Sequence, residues 1–110
     1  MDEREFNDRA DAMLAYIEQA LDACGIDTES KPGGVLELEF DSGSKIIINR
    51  HSAAREIWLA AKSGGYHFGP DASNAMLWIA SRDGAELLSV LQRCISEQAG
   101  IAIEFATAKR

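Results

Sequence analysis

The sequence predicts an α+β fold, a two-layer α/β sandwich in which two helices pack on one face of a twisted antiparallel sheet. Three observations predict it: an apolar helical stripe near each end of the chain, short alternating segments between them, and turn residues that separate these segments. Such an order leaves the other face of the sheet to water. A chain of 110 residues suits one domain of this kind, and we assign residues 1–110 to it.

The first helix has a clear start, an apolar face and a clear end. Asp2 is placed to cap it, and Glu5 stands three residues later, which is the spacing of a capping box. Gly25 supplies the residue type that often ends a helix. The residues of the apolar stripe recur at helical spacing: Phe6, Ala10, Met13, Leu14, Ile17 and Leu21. The pattern predicts an amphipathic helix that packs on the sheet.

Short strands fill the middle of the chain. Residues 35–40 alternate most clearly, with leucines on one side and glutamates on the other. Clusters of Gly, Pro, Asp and Ser predict turns at 31–34, 41–44 and 63–65. On this basis we predict strands at 26–30, 35–40, 45–50, 55–62, 66–68 and 76–80.

The second helix is marked in the same way as the first. Asp83 is the predicted cap, Glu86 follows three residues later, and Gly100 is the predicted end. Its apolar side consists of Leu87, Leu88, Leu91, Cys94 and Ile95, continued by Gln98. After this helix, residues 101–105 alternate enough to predict a short final strand.

Trp58 lies on the polar side of its predicted strand. If Ile57 and Leu59 face the core, then Trp58 shares the opposite face with Glu56 and Lys62. This segment alone gives equal weight to two alternatives, an exposed indole that meets a partner and an indole covered by a second layer. Because both helices are needed on the core face, nothing is left to cover the other one. We therefore expect Trp58 to be exposed.

Composition narrows the class of protein. The chain has 18 acidic and 11 basic residues, a formal net charge of −7. This charge argues against nucleic acid as a ligand and favours cations or basic protein surfaces.

The cysteines and the start of the chain bear on its location. Cys24 and Cys94 lack the spacing of a metal site; we interpret them as two buried thiols, with a disulfide as the alternative. The charged start Met1–Glu5 does not resemble a targeting segment, and no apolar run approaches the roughly 20 residues of a membrane span. We expect a cytoplasmic location.

Carboxylates line one side of the first helix. The predicted acidic ridge consists of Asp8, Asp11, Glu18 and Asp22, extended by Asp27 and Glu29. Oxygen ligands of this kind suit hard cations. The arrangement is mildly unfavourable for the helix. A negative charge at Asp22, near the C-terminal end of the helix dipole, costs about 0.3–1 kcal/mol of helix stability. Its repulsion of Glu18 costs about 0.2–0.5 kcal/mol more. From the pattern alone, a solvated helix face without a ligand is the simpler interpretation.

Three side chains on the face opposite the helices form the second candidate site. Alternation places Asn49, Trp58 and His67 on the outer face of neighbouring strands, where they can lie side by side. An aromatic anchor surrounded by polar groups is typical of a transient protein contact. His67 has a metal-ligand alternative, which we weight less because no second histidine lies close in sequence.

Several segments together resemble the frataxin family, most closely its bacterial members. These segments cover nearly the whole chain: Gly-Ser-Lys-Ile-Ile-Ile-Asn-Arg at 43–50, Ile-Trp-Leu-Ala at 57–60, Gly-Gly-Tyr-His-Phe at 64–68, Trp78, Asp83-Gly84, and Glu-Gln-Ala-Gly at 97–100. The resemblance implies a helix-on-sheet sandwich, weak iron binding at an acidic ridge, and docking on the cysteine desulfurase and the scaffold that build iron–sulfur clusters. It also implies partner contacts for Asn49 and Trp58. Where bacterial relatives often have glutamines, this chain has His51 and Glu56.

The resemblance favours one function over two alternatives. The leading hypothesis is a non-catalytic accessory protein of iron–sulfur cluster assembly that binds Fe²⁺ weakly, with Fe³⁺ or other divalent cations as competitors. The first alternative is a ferroxidase, for which the sequence lacks a paired Glu and Glu-x-x-His ligand set. The second is an interaction module that binds no metal. We expect a monomer, with an iron-dependent oligomer as the alternative.

Overall fold

The computed structural model describes residues 1–105, which form two helices and one six-stranded sheet. The elements in chain order are α1 (Glu3–Ala23), β1 (Thr28–Lys31), β2 (Val35–Glu39), β3 (Lys45–His51), β4 (Glu56–Ala61), β5 (Gly64–Pro70), β6 (Trp78–Ile79) and α2 (Leu87–Ala99). Within these residues, neither helix is long and apolar enough to cross a membrane.

The sheet is antiparallel throughout, and its strands follow one another in chain order. Its core face carries buried side chains that pack in one cluster with both helices: Leu36, Leu38, Ile46, Ile48, Ile57, Leu59 and Phe68. These are the inward positions that alternation selects, because successive side chains of a strand point to opposite faces. The predicted α+β sandwich, with both helices on one face of the sheet, is confirmed.

α1 forms as its sequence predicts. Asp2 caps the helix, since its Oδ1 accepts a hydrogen bond from the backbone N–H of Glu5 at 2.8 Å. Gly25, with φ +79°, allows the chain to turn away after the last helical residue. All six residues of the predicted apolar stripe are buried. The acidic residues of α1 are consequently left on its outer side.

α2 begins later than predicted. Glu86 is the cap, because its carboxylate accepts hydrogen bonds from Leu88 N at 2.9 Å and Ser89 N at 3.2 Å. Asp83, the predicted cap, instead accepts from Ala85 N at 3.0 Å in a local turn. Gly84 has a left-handed backbone, φ +76°, which separates this turn from the helix. The predicted end at Gly100 is confirmed, with φ +67°.

The predicted strand at 101–105 is wrong. Phe105 returns to the core and is 2% exposed, but its backbone N–H donates to Gln92 Oε1 of α2 at 2.9 Å. The apolar residue is therefore held by a helix side chain, and the segment adds no strand to the sheet. The last strand, β6, is also shorter than the predicted segment 76–80.

The two cysteines differ in their surroundings. Cys94 is buried on the core side of α2, as predicted, whereas Cys24 is exposed, and both are free thiols. Cys24 follows the last residue of α1 and lies beyond the buried stripe, which explains why the prediction of a second buried thiol is wrong.

Candidate functional site

Asn49, Trp58 and His67 lie next to one another across three strands. The sheet register pairs Asn49 of β3 with Trp58 of β4, and pairs Trp58 with His67 of β5. All three are at outward positions, so their side chains are on the helix-free face. The juxtaposition predicted from alternation is thus present in the structure.

Trp58 is partly buried instead of exposed, because two imidazoles cover it. The His51 ring stacks on one face, with centroids 3.9 Å apart and planes at 11°. The His67 ring stacks on the other face, at 4.4 Å and 10°. We call these three residues the aromatic strip. Sequence reasoning did not assign His51 to this site, although the residue is outward-facing and stands two positions after Asn49.

Glu56 lies next to all three residues of the aromatic strip. Trp58 Nε1 donates a hydrogen bond to Glu56 Oε1 at 2.9 Å, and His67 Nδ1 lies 3.8 Å from the same oxygen. Glu56 also pairs directly with His51 in the register of β3 and β4. The carboxylate therefore fixes the indole by its nitrogen, while the two imidazoles fix it by its faces.

The floor beside the strip is made of small and apolar residues. Ala60 of β4 pairs with Ile47 on one side and with Gly65 on the other. Ala60 and Gly65 are exposed, and Ile47 is partly buried. Since an alanine and a glycine rise little above a sheet, this floor is low and the partly buried indole is the tallest apolar group beside it.

Further along the same face, Glu37 is paired with two lysines. Its carboxylate accepts a hydrogen bond from Lys31 Nζ at 3.3 Å, and Lys45 Nζ lies 3.6 Å from its other oxygen. The Lys31 hydrogen bond, together with the charges of both lysines, lowers the pKa of the Glu37 carboxyl. This acid is thus compensated locally and contributes little free negative charge to the face.

The acidic ridge divides into two groups. Asp8 and Asp11 lie beside the first turns of α1, near Arg4 and Arg50. Glu18 and Asp22 line one depression together with Asp27. Glu29 is in a neighbouring depression that also contains Asp27, along with other carboxylates of β2 and the turn after it. The structure thus brings Glu18, Asp22 and Asp27 to one place, and separates them from the group at the start of α1.

Arg50 forms an ion pair with Asp11, one of the predicted metal ligands. Its guanidinium pairs with Asp11, and the Arg50 side chain is 22% exposed. The aliphatic part of Arg50 lies over Gly34, where an added Cβ would come within 2.6 Å of it. A backbone hydrogen bond from Arg50 N to Gly34 O, 3.0 Å, holds the two together. Any cation at Asp11 therefore competes with a built-in positive charge.

The donor set suits weak binding of a hard cation. Within residues 1–105, no group of three or more His, Cys, Asp or Glu side chains is close enough to hold a metal ion. The ridge offers single or paired carboxylates, so water would supply most of the ligands of a bound ion. Carboxylates and water suit Fe²⁺, Mn²⁺, Mg²⁺ and Ca²⁺ alike, which predicts low selectivity.

Comparison with known proteins identifies relatives over almost the full length of the chain. Residues 1–101 match the family model of the frataxin-like domain. The iron-sulfur cluster assembly protein CyaY of Dechloromonas aromatica (strain RCB) is 52% identical over 105 residues, covering 94% of this chain and 97% of that protein. The protein of the same name from Vibrio cholerae serotype O1 (strain M66-2) is 46% identical over 106 residues, covering 96% and 99%.

Solved structures give the same result for the fold. The frataxin from Psychromonas ingrahamii superimposes with a TM-score of 0.86 at 30% identity, covering 96% of this chain and 99% of that chain. A trimeric frataxin from the yeast Saccharomyces cerevisiae has a TM-score of 0.67 at 28% identity, covering 81% and 77%.

Proposed function

The chain belongs to the frataxin-like family, and on that basis we propose that it is a non-catalytic accessory protein of iron–sulfur cluster assembly. Its relatives from Dechloromonas aromatica and Vibrio cholerae are named for this process. In the proposed mechanism, the acidic ridge attracts Fe²⁺ as cargo, and the aromatic strip docks on the complex of cysteine desulfurase and scaffold. The proposed location is the cytoplasm, and the proposed free form is a monomer.

The observation that carries the docking proposal is the row of Asn49, Trp58 and His67 across three strands. An indole that is already fixed in one orientation loses little conformational freedom when it meets a partner, which favours binding. The low floor of Ala60 and Gly65 beside it gives a partner close access to the sheet. Both features support a protein contact on the helix-free face.

The proposal for iron depends on the group of Glu18, Asp22 and Asp27. Asp22 and Asp27 are exposed, Glu18 is partly buried, and all three line one depression. The local concentration of negative charge raises the concentration of cations beside it. Weak binding through few protein ligands suits cargo that must be released to an assembly complex.

The ridge also suits a basic protein surface, so the cation and the partner are expected to compete. We propose that the desulfurase contacts the chain partly through Glu18 and Asp22. Added Fe²⁺ should then weaken the affinity for the desulfurase, and an unchanged affinity would contradict a shared ridge.

A pull-down with purified desulfurase and scaffold tests docking. Wild type is compared with Trp58→Ala and, separately, with the double variant Glu18→Gln, Asp22→Asn. Ser96→Ala serves as the control, because Ser96 is an exposed residue of α2 away from both sites. Docking through the strip predicts loss of capture for Trp58→Ala and full capture for Ser96→Ala. Full capture of Trp58→Ala would overturn it.

A metal-independent interaction module is the second candidate, and the lack of any three-ligand group within residues 1–105 favours it. An NMR titration with Fe²⁺ under anaerobic conditions separates it from the leading proposal. Paramagnetic broadening centred on Glu18, Asp22 and Asp27 would support iron binding. Unbroadened signals there would leave the interaction module as the function.

A further inference from the structure

The indole of Trp58 is not free to stack with a partner side chain. Imidazoles cover both of its faces, at centroid distances of 3.9 Å and 4.4 Å. Its Nε1–H is engaged as well, by Glu56 at 2.9 Å. A guanidinium or ammonium group binds an indole through its face. Because both faces are taken, the indole offers no site for a cation–π contact and presents its ring edge to a partner.

Ring edges attract acceptor oxygens. The edge of an aromatic ring carries the positive part of its quadrupole. In His51, Nδ1 accepts a hydrogen bond from the backbone N–H of Ala54 at 3.3 Å, so the neutral ring carries its proton on Nε2. That Nε2–H is a donor for a partner. The strip therefore offers positive edges and at least one N–H donor.

The carboxylates of this face differ in their partners. Glu37 lies between two lysines, at 3.3 Å and 3.6 Å, which compensate its charge. Glu56 and Asp83 accept hydrogen bonds from neutral N–H groups and keep their negative charge. An incoming carboxylate is therefore repelled less by Glu37 than by a free acid, and at the cleft it needs a cationic partner.

Arg82 supplies a positive charge beside the strip. It lines one cleft with Glu56 and His67, next to the strip. Within residues 1–105, Arg82 has no ion-pair partner, whereas Arg93 in the same cleft lies 3.8 Å from Glu97. A guanidinium in this position is a strong donor for carboxylates.

Resting on the docking function proposed above, we infer that the aromatic strip and Arg82 recognise a carboxylate-bearing segment of the partner protein. The two candidate surfaces then select opposite charges. The ridge on α1 takes cations and basic surfaces, and the strip on the helix-free face takes an acidic segment. One chain of net charge −7 can thereby contact partner surfaces of both signs.

An NMR titration of the full chain with short peptides tests this inference. Blocked tetraglutamate and tetralysine are added separately at neutral pH. We expect tetraglutamate to shift the Trp58 Nε1–H and His67 signals. Tetralysine should shift the ridge instead.

Variants make the test specific. Arg82→Gln should weaken tetraglutamate binding about two- to fivefold, the size of an exposed ion-pair effect. Arg4→Gln, which removes a charge on α1, should leave it unchanged. Unshifted strip signals with tetraglutamate, or equal shifts in wild type and Arg82→Gln, would overturn the inference. These outcomes are distinct from a failure of the docking proposal. That proposal fails if Trp58→Ala binds the assembly proteins as wild type does.

Discussion

The guanidinium of Arg50 on β3 pairs with the carboxylate of Asp11 on α1, 39 residues away in sequence. This ion pair connects the sheet to the helix that carries the acidic ridge. It also neutralises one end of the ridge, because a carboxylate paired with arginine has less free charge to offer a cation. The other group, Glu18, Asp22 and Asp27, has no such partner among the ion pairs of residues 1–105.

Removing the Arg50 charge should therefore restore cation binding at the start of α1. In Arg50→Gln, we expect affinity for Mn²⁺ at Asp8 and Asp11 to rise about two- to fivefold, since an exposed ion pair contributes up to about 1 kcal/mol. Paramagnetic broadening of the Asp8 and Asp11 amide signals measures the change. Arg4→Gln is the control for removal of a nearby positive charge. Equal broadening in wild type and Arg50→Gln would show that Arg50 does not compete.

Gly34 should be the less replaceable of two adjacent glycines. Both have a left-handed backbone, φ +89° at Gly33 and +77° at Gly34, but only Gly34 has a neighbour, Arg50, within 4 Å of an added Cβ. Each Ala substitution should cost about 1 kcal/mol for the backbone strain, and Gly34→Ala should cost more because Arg50 must move. Urea unfolding of the two variants measures the difference. Equal losses of stability would refute the contact.

Glu86 should contribute more to helix stability than Asp83. Its carboxylate accepts two backbone N–H groups at the start of α2, and the residue is only 8% exposed. Glu86→Ala should lower the free energy of unfolding by about 0.5–2 kcal/mol, the cost of losing a helix cap. Asp83→Ala removes a bond within the preceding turn and serves as the comparison. A larger loss for Asp83→Ala would contradict the role of Glu86 as the cap that contributes more to stability.

Protonation of Asp71 should make the protein less stable in acid. Hydrogen bonds from the backbone and side chain of Ser73, with one from Asn74, lower the pKa of its carboxyl in the folded state. A group with a lowered folded pKa stabilises the fold above its unfolded pKa, about 3.9 for Asp, and that stability is lost as the pH falls through the lower folded value. Unfolding curves at neutral pH and at about pH 3 measure this loss. Asp71→Asn should show a smaller loss than wild type, and an equal loss would contradict it.

The parts of the fold that follow from local periodicity were predictable. The stripe of α1, from Phe6 to Leu21, is buried as the helical spacing predicts, and alternation around Leu36 and Leu38 gives the correct inward face. In both cases the sequence pattern and the burial have the same physical cause, since each element must hide one side. The cross-strand row containing Trp58 follows from the same alternation.

The errors arose where side chains from distant segments decide the outcome. Periodicity does not reveal that the rings of His51 and His67 close over Trp58, because this depends on side-chain rotamers across three strands. The pairing of Asp11 with Arg50 is equally invisible in a local pattern. At α2 the capping-box spacing favoured Asp83, but the left-handed Gly84 moved the start to the next available acid.

Cluster synthesis on the scaffold by the desulfurase is the most direct test of the central claim. The rate of cluster formation is measured with no addition, with wild type, and with Trp58→Ala. We predict that wild type changes the rate and that Trp58→Ala does so only at much higher concentration. The same rate with and without wild type would contradict a role in iron–sulfur cluster assembly.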